Sequence, residues 1–224
     1  YKRQINNHMV GFPREYKILG IIAIAAIAIG VLLFKFAGTP PSAAPLADRS
    51  GAYSKGLADA RVVVSEFADF QCPACRTVQS TIAKLQSEYP RDVRFVFRHF
   101  PLPSHPYSQI TAQASEAAGA QGKFWEMHDL LYNRQDEWGD TTKNISADKV
   151  SELISGYASI IGLDMNKFTQ DLEKGTYRPI IIEDSNAAAA AGVNATPTFF
   201  VNGERVSSPS YESLKRAIDE ALAK

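Results

Sequence analysis

Arg61-Val62-Val63-Val64-Ser65-Glu66-Phe67-Ala68-Asp69-Phe70-Gln71-Cys72-Pro73-Ala74-Cys75 is the stretch that decides how this chain reads. The run from Arg61 to Phe67 is short and β-branched, too apolar for a half-exposed strand, and predicts a strand buried in the middle of a sheet. After the second cysteine an amphipathic stretch continues to about Glu88, with Val78, Ile82 and Leu85 at helical spacing. Pro73 falls in the first helical turn, where proline is favoured, and Tyr89-Pro90 ends the helix. Val93 to Arg98 alternates and predicts a second strand; parallel pairing with the first, through the helix, makes a right-handed βαβ unit.

Beyond this unit, residues 106–192 offer no strand and predict helices near 107–120, 123–135, 147–161, 165–174 and 179–191. They are punctuated by Gly122, Gly139, Gly162, Gly175 and Gly192, the last as a C-cap behind the Ala187–Ala191 run. Thr198 to Val201 and Glu204 to Val206 flank Asn202-Gly203, a strong hairpin signal, and an amphipathic helix from Tyr211 to Ala223 closes the chain. The expected fold class is α/β: βαβ, a helical insertion, then ββα, with residues 57–105 and 193–224 in one domain and 106–192 inserted.

The 224 residues hold 24 Lys and Arg against 24 Asp and Glu, so no net charge marks the chain for nucleic acid. With 45% hydrophobic and 21% charged residues the composition is globular. Ile18 to Phe34 carries no charge and is bracketed by Lys17 and Lys35, the lower limit of length for a helix that spans roughly 30 Å of hydrocarbon. Lys2, Arg3, Arg14 and Lys17 precede it against the single Glu15, which by the positive-inside rule puts residues 1–17 in the cytoplasm. Residues 18–37 then form a single-pass anchor, and the bulk of the chain faces the periplasm or the extracellular space. The rival is a cleaved signal peptide, with a cleavage site in Pro41-Ser42-Ala43-Ala44-Pro45. Residues 38–56, rich in Gly, Pro, Ser and Ala, read as a tether.

Cys72 and Cys75, the two cysteines of the chain, stand three residues apart on one helical face, within reach of a disulfide. The first meets the helix N-terminus, which favours a thiolate. From an unperturbed value near 8.5 about 3% is ionised at pH 7, and half-ionisation needs roughly 2 kcal/mol. A helix terminus supplies about 0.3–1 kcal/mol, so further hydrogen bonding to the sulfur is expected. Cys75, one turn inside, reads as the resolving thiol. Three other readings compete with a redox pair: half of a zinc site completed by His99 and His105, a structural disulfide across a very short loop, and unrelated buried thiols.

Together, Phe67 to Cys75 and Ala195-Thr196-Pro197-Thr198-Phe199-Phe200-Val201-Asn202-Gly203 resemble the DsbA-like thiol:disulfide oxidoreductases. The resemblance covers roughly residues 50–224, including Arg98 to Leu102 and Gln121 to His128. It implies a thioredoxin fold with an inserted helical domain, Cys72 as nucleophile and Cys75 as resolving thiol in an active-site loop with Pro73 and Ala74. It also implies a cis Pro197 beside the pair, with Thr196 offering backbone groups to an extended substrate. Glu66 matches the buried acid this family places beneath its cysteines, a candidate proton acceptor for Cys75 through water; its plainer reading is a solvated edge residue. Strongly oxidising relatives often carry His where this chain has Ala74, which predicts a less oxidising couple. Asp69 reads as a loop residue, and His99, His105 and His128 as packing or loop histidines.

The expected activity is thus a membrane-tethered disulfide donor acting on reduced or misoxidised exported polypeptides, reoxidised by an integral membrane partner. The exchange calls for no cofactor and no metal. A reductase or isomerase of the same chemistry is the alternative, as is a non-catalytic thioredoxin-like module that holds clients near Pro197.

Overall fold

A computed structural model describes residues 49–224, so the anchor expected at 18–37 and most of the tether lie outside the described residues. Among the described residues no helix is long and apolar enough to cross a membrane.

The strands are β1 (Ser54–Lys55), β2 (Val62–Ala68), β3 (Val93–His99), β4 (Thr198–Val201) and β5 (Glu204–Arg205), ordered β1-β3-β2-β4-β5 in one mixed sheet. As its composition predicts, β2 is central and buried along almost its whole length. It runs parallel to β3 from Val62 opposite Val93 to Ala68 opposite His99, and antiparallel to β4. Between β2 and β3 runs α1 (Pro73–Glu88), with Pro73 in its first turn, and it buries Cys75, Val78, Ile82 and Leu85. Asn202 and Gly203 both take positive φ, and the Asn202 side chain accepts from the Val63 N–H, tying the β4–β5 turn to the central strand.

Six α-helices separate β3 from β4: α2 (Ser108–Gly119), α3 (Phe124–Asn133), α4 (Gln135–Trp138), α5 (Ala147–Ile160), α6 (Met165–Lys174) and α7 (Arg178–Ala190). The helix expected over 123–135 is two, broken at Arg134, whose N–H caps α3 by donating to Leu130. The amphipathic α8 (Tyr211–Leu222) packs Leu214 and Ile218 against the sheet beside Val62, Val64 and Phe199. A second core joins Phe70, Cys72 and Cys75 to Phe124, Met127, Leu131, Tyr132 and Trp138, so the insertion packs directly onto the cysteines.

One boundary needs correction. The stretch read as a tether to residue 56 enters the fold at Arg49, where polar composition concealed long-range contacts. Arg49 is buried on Asp184 and Glu116, Tyr53 stacks on Phe124 at 4.0 Å, and Ser54–Lys55 adds an antiparallel edge to β3. Asp184 also accepts from the Arg98 side chain at 2.7 Å and the His99 N–H at 2.9 Å. One buried carboxylate thereby ties the N-terminal segment and β3 to α7.

Candidate active site

Cys72 is the N-cap residue of α1, extended at φ −75° and ψ 120°, which sets its side chain at the mouth of the helix. Both cysteines are free thiols. Cys72 is 6% exposed and Cys75 is fully covered, so an incoming sulfur meets the first before the second. The Cys72 pKa is brought down to about 5, chiefly by the thiol of Cys75 donating to its sulfur, against the opposing effect of burial. The Thr196 hydroxyl and the main-chain N–H groups of Cys75 and Ala74 assist. As a thiol, Cys72 donates to the Thr196 carbonyl at 3.3 Å, and the Thr196 hydroxyl is buried without a partner among the described residues. On ionisation that hydroxyl has the sulfur to turn to. Burial, above all, pushes Cys75 well above the ordinary thiol value.

The bond between Thr196 and Pro197 is cis, and both residues are half-buried beside the Cys72 sulfur, where β4 begins. Pro73 and Ala74 are exposed on the outer face of the first turn. The structure therefore brings Cys72, Cys75, Thr196 and Pro197 to one place.

Glu66 comes there too, from β2 beneath the pair. It is 6% exposed, which excludes the solvated reading, and burial raises its pKa to about 8. The Gln79 amide donates both to Glu66 Oε1 and to the Cys75 carbonyl at 3.1 Å. Sequence reasoning passed over Gln79; its place one turn after Cys75 on the same helical face was the available signal. Glu66 and Gln79 line a groove of about 920 Å³ between α1 and the insertion, whose walls include Arg76, Trp125, His128 and Asp129.

Asp69 lies in the loop between β2 and α1, as expected, but not as a solvated residue. It is buried and accepts from the N–H groups of Gln71 and Leu102, from His105 and from the Ser108 hydroxyl. Leu102, His105 and Ser108 stand thirty and more positions away, a pairing that the local sequence does not mark. The zinc alternative loses its histidines: His105 is held by Asp69 and His99 by Glu116 at 3.0 Å. Among the described residues no three of His, Cys, Asp and Glu gather as a metal set. His128 is buried in an aromatic cluster with Phe97, Trp125 and Tyr132, and that burial lowers its pKa.

Comparison with known proteins follows the same line. Residues 50–220 match the family model described as Thioredoxin. The oxidised BdbD structure of Bacillus subtilis superposes with a TM-score of 0.71 and 26% identity, over 80% of this chain and 97% of that one. A thioredoxin-like oxidoreductase of Silicibacter pomeroyi gives 0.67 and 27%, over 80% and 97%. DsbA-type thiol-disulfide exchange proteins are among the further structural neighbours. Among curated proteins the chain is 40% identical over 171 residues to the Na(+)/H(+) antiporter NhaA 3 of Salinispora tropica, covering 75% of this chain. The chain spans about a quarter of that protein's length, 24%.

Proposed function

The chain belongs to the thioredoxin family and its structural neighbours are thiol-disulfide oxidoreductases; from that premise we propose that it donates disulfides to exported polypeptides through Cys72 and Cys75. The observation that carries the reading is the opposite tuning of the two sulfurs: Cys72, the more accessible, is held as an anion down to about pH 5, while Cys75 beneath it is kept protonated.

With the pair oxidised, a client thiolate attacks the Cys72 sulfur and the bond to Cys75 breaks. Cys75 leaves with the electron pair and takes a proton, for which Glu66, still largely protonated at pH 7, is the nearest acid in the groove. A second client thiolate attacks the client sulfur of the mixed disulfide, the client closes its own disulfide, and Cys72 departs as a thiolate. Two electrons pass to the protein. Its low pKa makes Cys72 a good leaving group in this last step. Thr196 and Pro197 flank the reacting sulfur and are assigned the extended client backbone.

The pair then needs an electron acceptor, assigned to an integral membrane partner, with residues 18–37 as the anchor and the catalytic domain outside the cytoplasm. The antiporter relative supports work at a membrane. We assign the shared stretch to a thioredoxin-like part of that longer protein, because the alignment covers 75% of this chain and must therefore overlap residues 50–220.

The test is trapping. Cys75→Ala in the full chain should accumulate client mixed disulfides through Cys72, and equilibration of the wild type with glutathione should give a potential oxidising enough to transfer a disulfide. Client association that persists when Cys72 is also replaced would instead mark a binding module. A pair that stays oxidised under the glutathione poise of the cytosol would mark a reductase.

A further inference from the structure

The turn ahead of the cysteines contains a carboxylate for which disulfide exchange has no direct use. Asp69 is 2% exposed, and among the described residues its two oxygens take donors from two separate segments. Oδ1 accepts from the Gln71 N–H at 2.8 Å and from the Ser108 hydroxyl; Oδ2 accepts from the Leu102 N–H and from His105 Nδ1, both at 2.8 Å. Gln71 belongs to the turn that delivers Cys72, whereas Leu102, His105 and Ser108 belong to the connection from β3 into α2. A carboxylate out of water persists only where donors replace its hydration, so this arrangement holds two chain segments to each other.

The main chain of the same residue meets the cysteines. The Asp69 carbonyl accepts from the Cys72 N–H at 3.0 Å, and the Asp69 N–H is directed at the Cys75 sulfur. The neighbouring Gln71 side chain extends the tie, accepting from the Tyr107 N–H and donating to the Gly139 carbonyl. Immobilising the Asp69 side chain therefore immobilises the peptide group in front of Cys75.

Resting on the exchange reading above, we propose that Asp69 is a positioning residue for Cys75: its carboxylate clamps the turn to residues 102–108 so that the Asp69 peptide N–H stays on the Cys75 sulfur while that sulfur carries charge. When a thiolate attacks Cys72 of the disulfide, the Cys72–Cys75 bond breaks and Cys75 leaves as a thiolate. In reverse, the Cys75 thiolate attacks the Cys72 sulfur of a mixed disulfide, the new sulfur–sulfur bond forms, and the external thiolate is expelled. Charge develops on Cys75 in both directions, and a displaced donor slows both. Direct attack of Cys72 on an external reagent does not use that donor, and at pH 7 Cys72 is already ionised, so its rate should hardly move.

Two rates in the full chain at pH 7 separate these effects: resolution of a Cys72–glutathione mixed disulfide by Cys75, and alkylation of reduced Cys72 by iodoacetamide. In Asp69→Asn the new amide N–H₂ competes with its donors; resolution should slow about ten-fold with alkylation within about two-fold, the scale of one lost bond to a charged sulfur. Ser108→Ala, which removes one of the four donors, should slow resolution about three-fold, and His105→Gln, which keeps a donor, should resolve faster than His105→Ala. Unchanged resolution in folded Asp69→Asn, or in Ser108→Ala should Asp69→Asn fail to fold, overturns the proposal. So does equal slowing of both rates, or His105→Gln no better than His105→Ala. A wild-type chain that forms no glutathione mixed disulfide at Cys72 would overturn the exchange reading itself.

Discussion

Replacing Cys75 by Ala removes the group that does most to hold the Cys72 anion. Its thiol is the largest of the influences that bring Cys72 down to about 5, ahead of the Thr196 hydroxyl and the N–H groups of Cys75 and Ala74. A hydrogen bond to a charged acceptor contributes about 1.5–3 kcal/mol, which at 1.36 kcal/mol per unit is about 1–2 pKa units. The midpoint should therefore rise from about 5 to about 6–7, and the thiolate fraction at pH 7 should fall from about 99% to about 50–90%. The remaining donors keep it below the ordinary value. The pH dependence of iodoacetamide alkylation, or of thiolate absorbance, reads the midpoint in wild type and variant. A midpoint in Cys75→Ala that stays put or falls would refute the assignment of Cys75 as donor. Stability has a matching sign. The folded pKa lies below the unfolded one, so ionised Cys72 stabilises the reduced chain above about pH 8.5, and that contribution is lost as pH falls through about 5. Against the oxidised chain, which has no thiol to titrate, the reduced chain should lose up to about 1.36 kcal/mol per pH unit across that window. In Cys75→Ala the loss should be complete near pH 6–7.

Three further outcomes can be checked. Ala74→His places a donor beside the Cys72 thiolate and should raise the reduction potential against glutathione, by about 30 mV for each tenfold change in equilibrium constant; an unchanged or lower value removes the argument. Gln79→Leu deletes the donor that restrains Glu66, so the Glu66 pKa should rise above about 8 by about one unit in a carboxyl NMR titration. Because that folded pKa is raised, Glu66 destabilises the fold progressively from about pH 4.5 to 8, and the variant should carry the decline to higher pH. Asp184→Ala removes the buried carboxylate shared by the Arg49 and Arg98 side chains and the His99 N–H and should cost about 3–5 kcal/mol in urea unfolding; a loss under about 1 kcal/mol would mean that the other partners of these groups suffice.

What the sequence disclosed follows from the range of the interactions involved. The central strand, the helix start at Pro73 and the Asn202-Gly203 turn are written in neighbouring residues, because burial on both faces, a fixed φ and two positive φ values are local demands. Cys72 and Cys75 were legible for the same reason. Asp69, Gln79 and Arg49 were not. Asp69 answers to Leu102, His105 and Ser108, Gln79 to Glu66 on another element, and Arg49 to Asp184 across 135 positions. A polar residue in a polar stretch discloses none of its distant partners. Glu66 lay between these cases: an acid within an apolar strand is an anomaly of local composition, and its burial excludes the solvated reading.

Two sulfurs three residues apart on one helix nevertheless ionise in opposite senses, and the cause bears on the proposed direction of transfer. A helix terminus contributes about 0.3–1 kcal/mol, less than one pKa unit, and both cysteines lie within its first turn. The dipole therefore cannot separate them. Desolvation and the placing of a single proton can: Cys75, fully covered and backed by Glu66, keeps its hydrogen and gives it to Cys72 as a bond, so that the two titrate as a unit. Reduction of such a pair ends in a stabilised anion, whereas oxidation must withdraw it. A client thiol near 8.5 gains no such anion when it is reduced, so under the proposed function exchange should run toward an oxidised client and a reduced pair. Ala74 moderates that drive, since its exposed methyl group offers the sulfur no donor beyond its own N–H. The couple should accordingly lie on the oxidising side of a client dithiol and below a relative with His at that position.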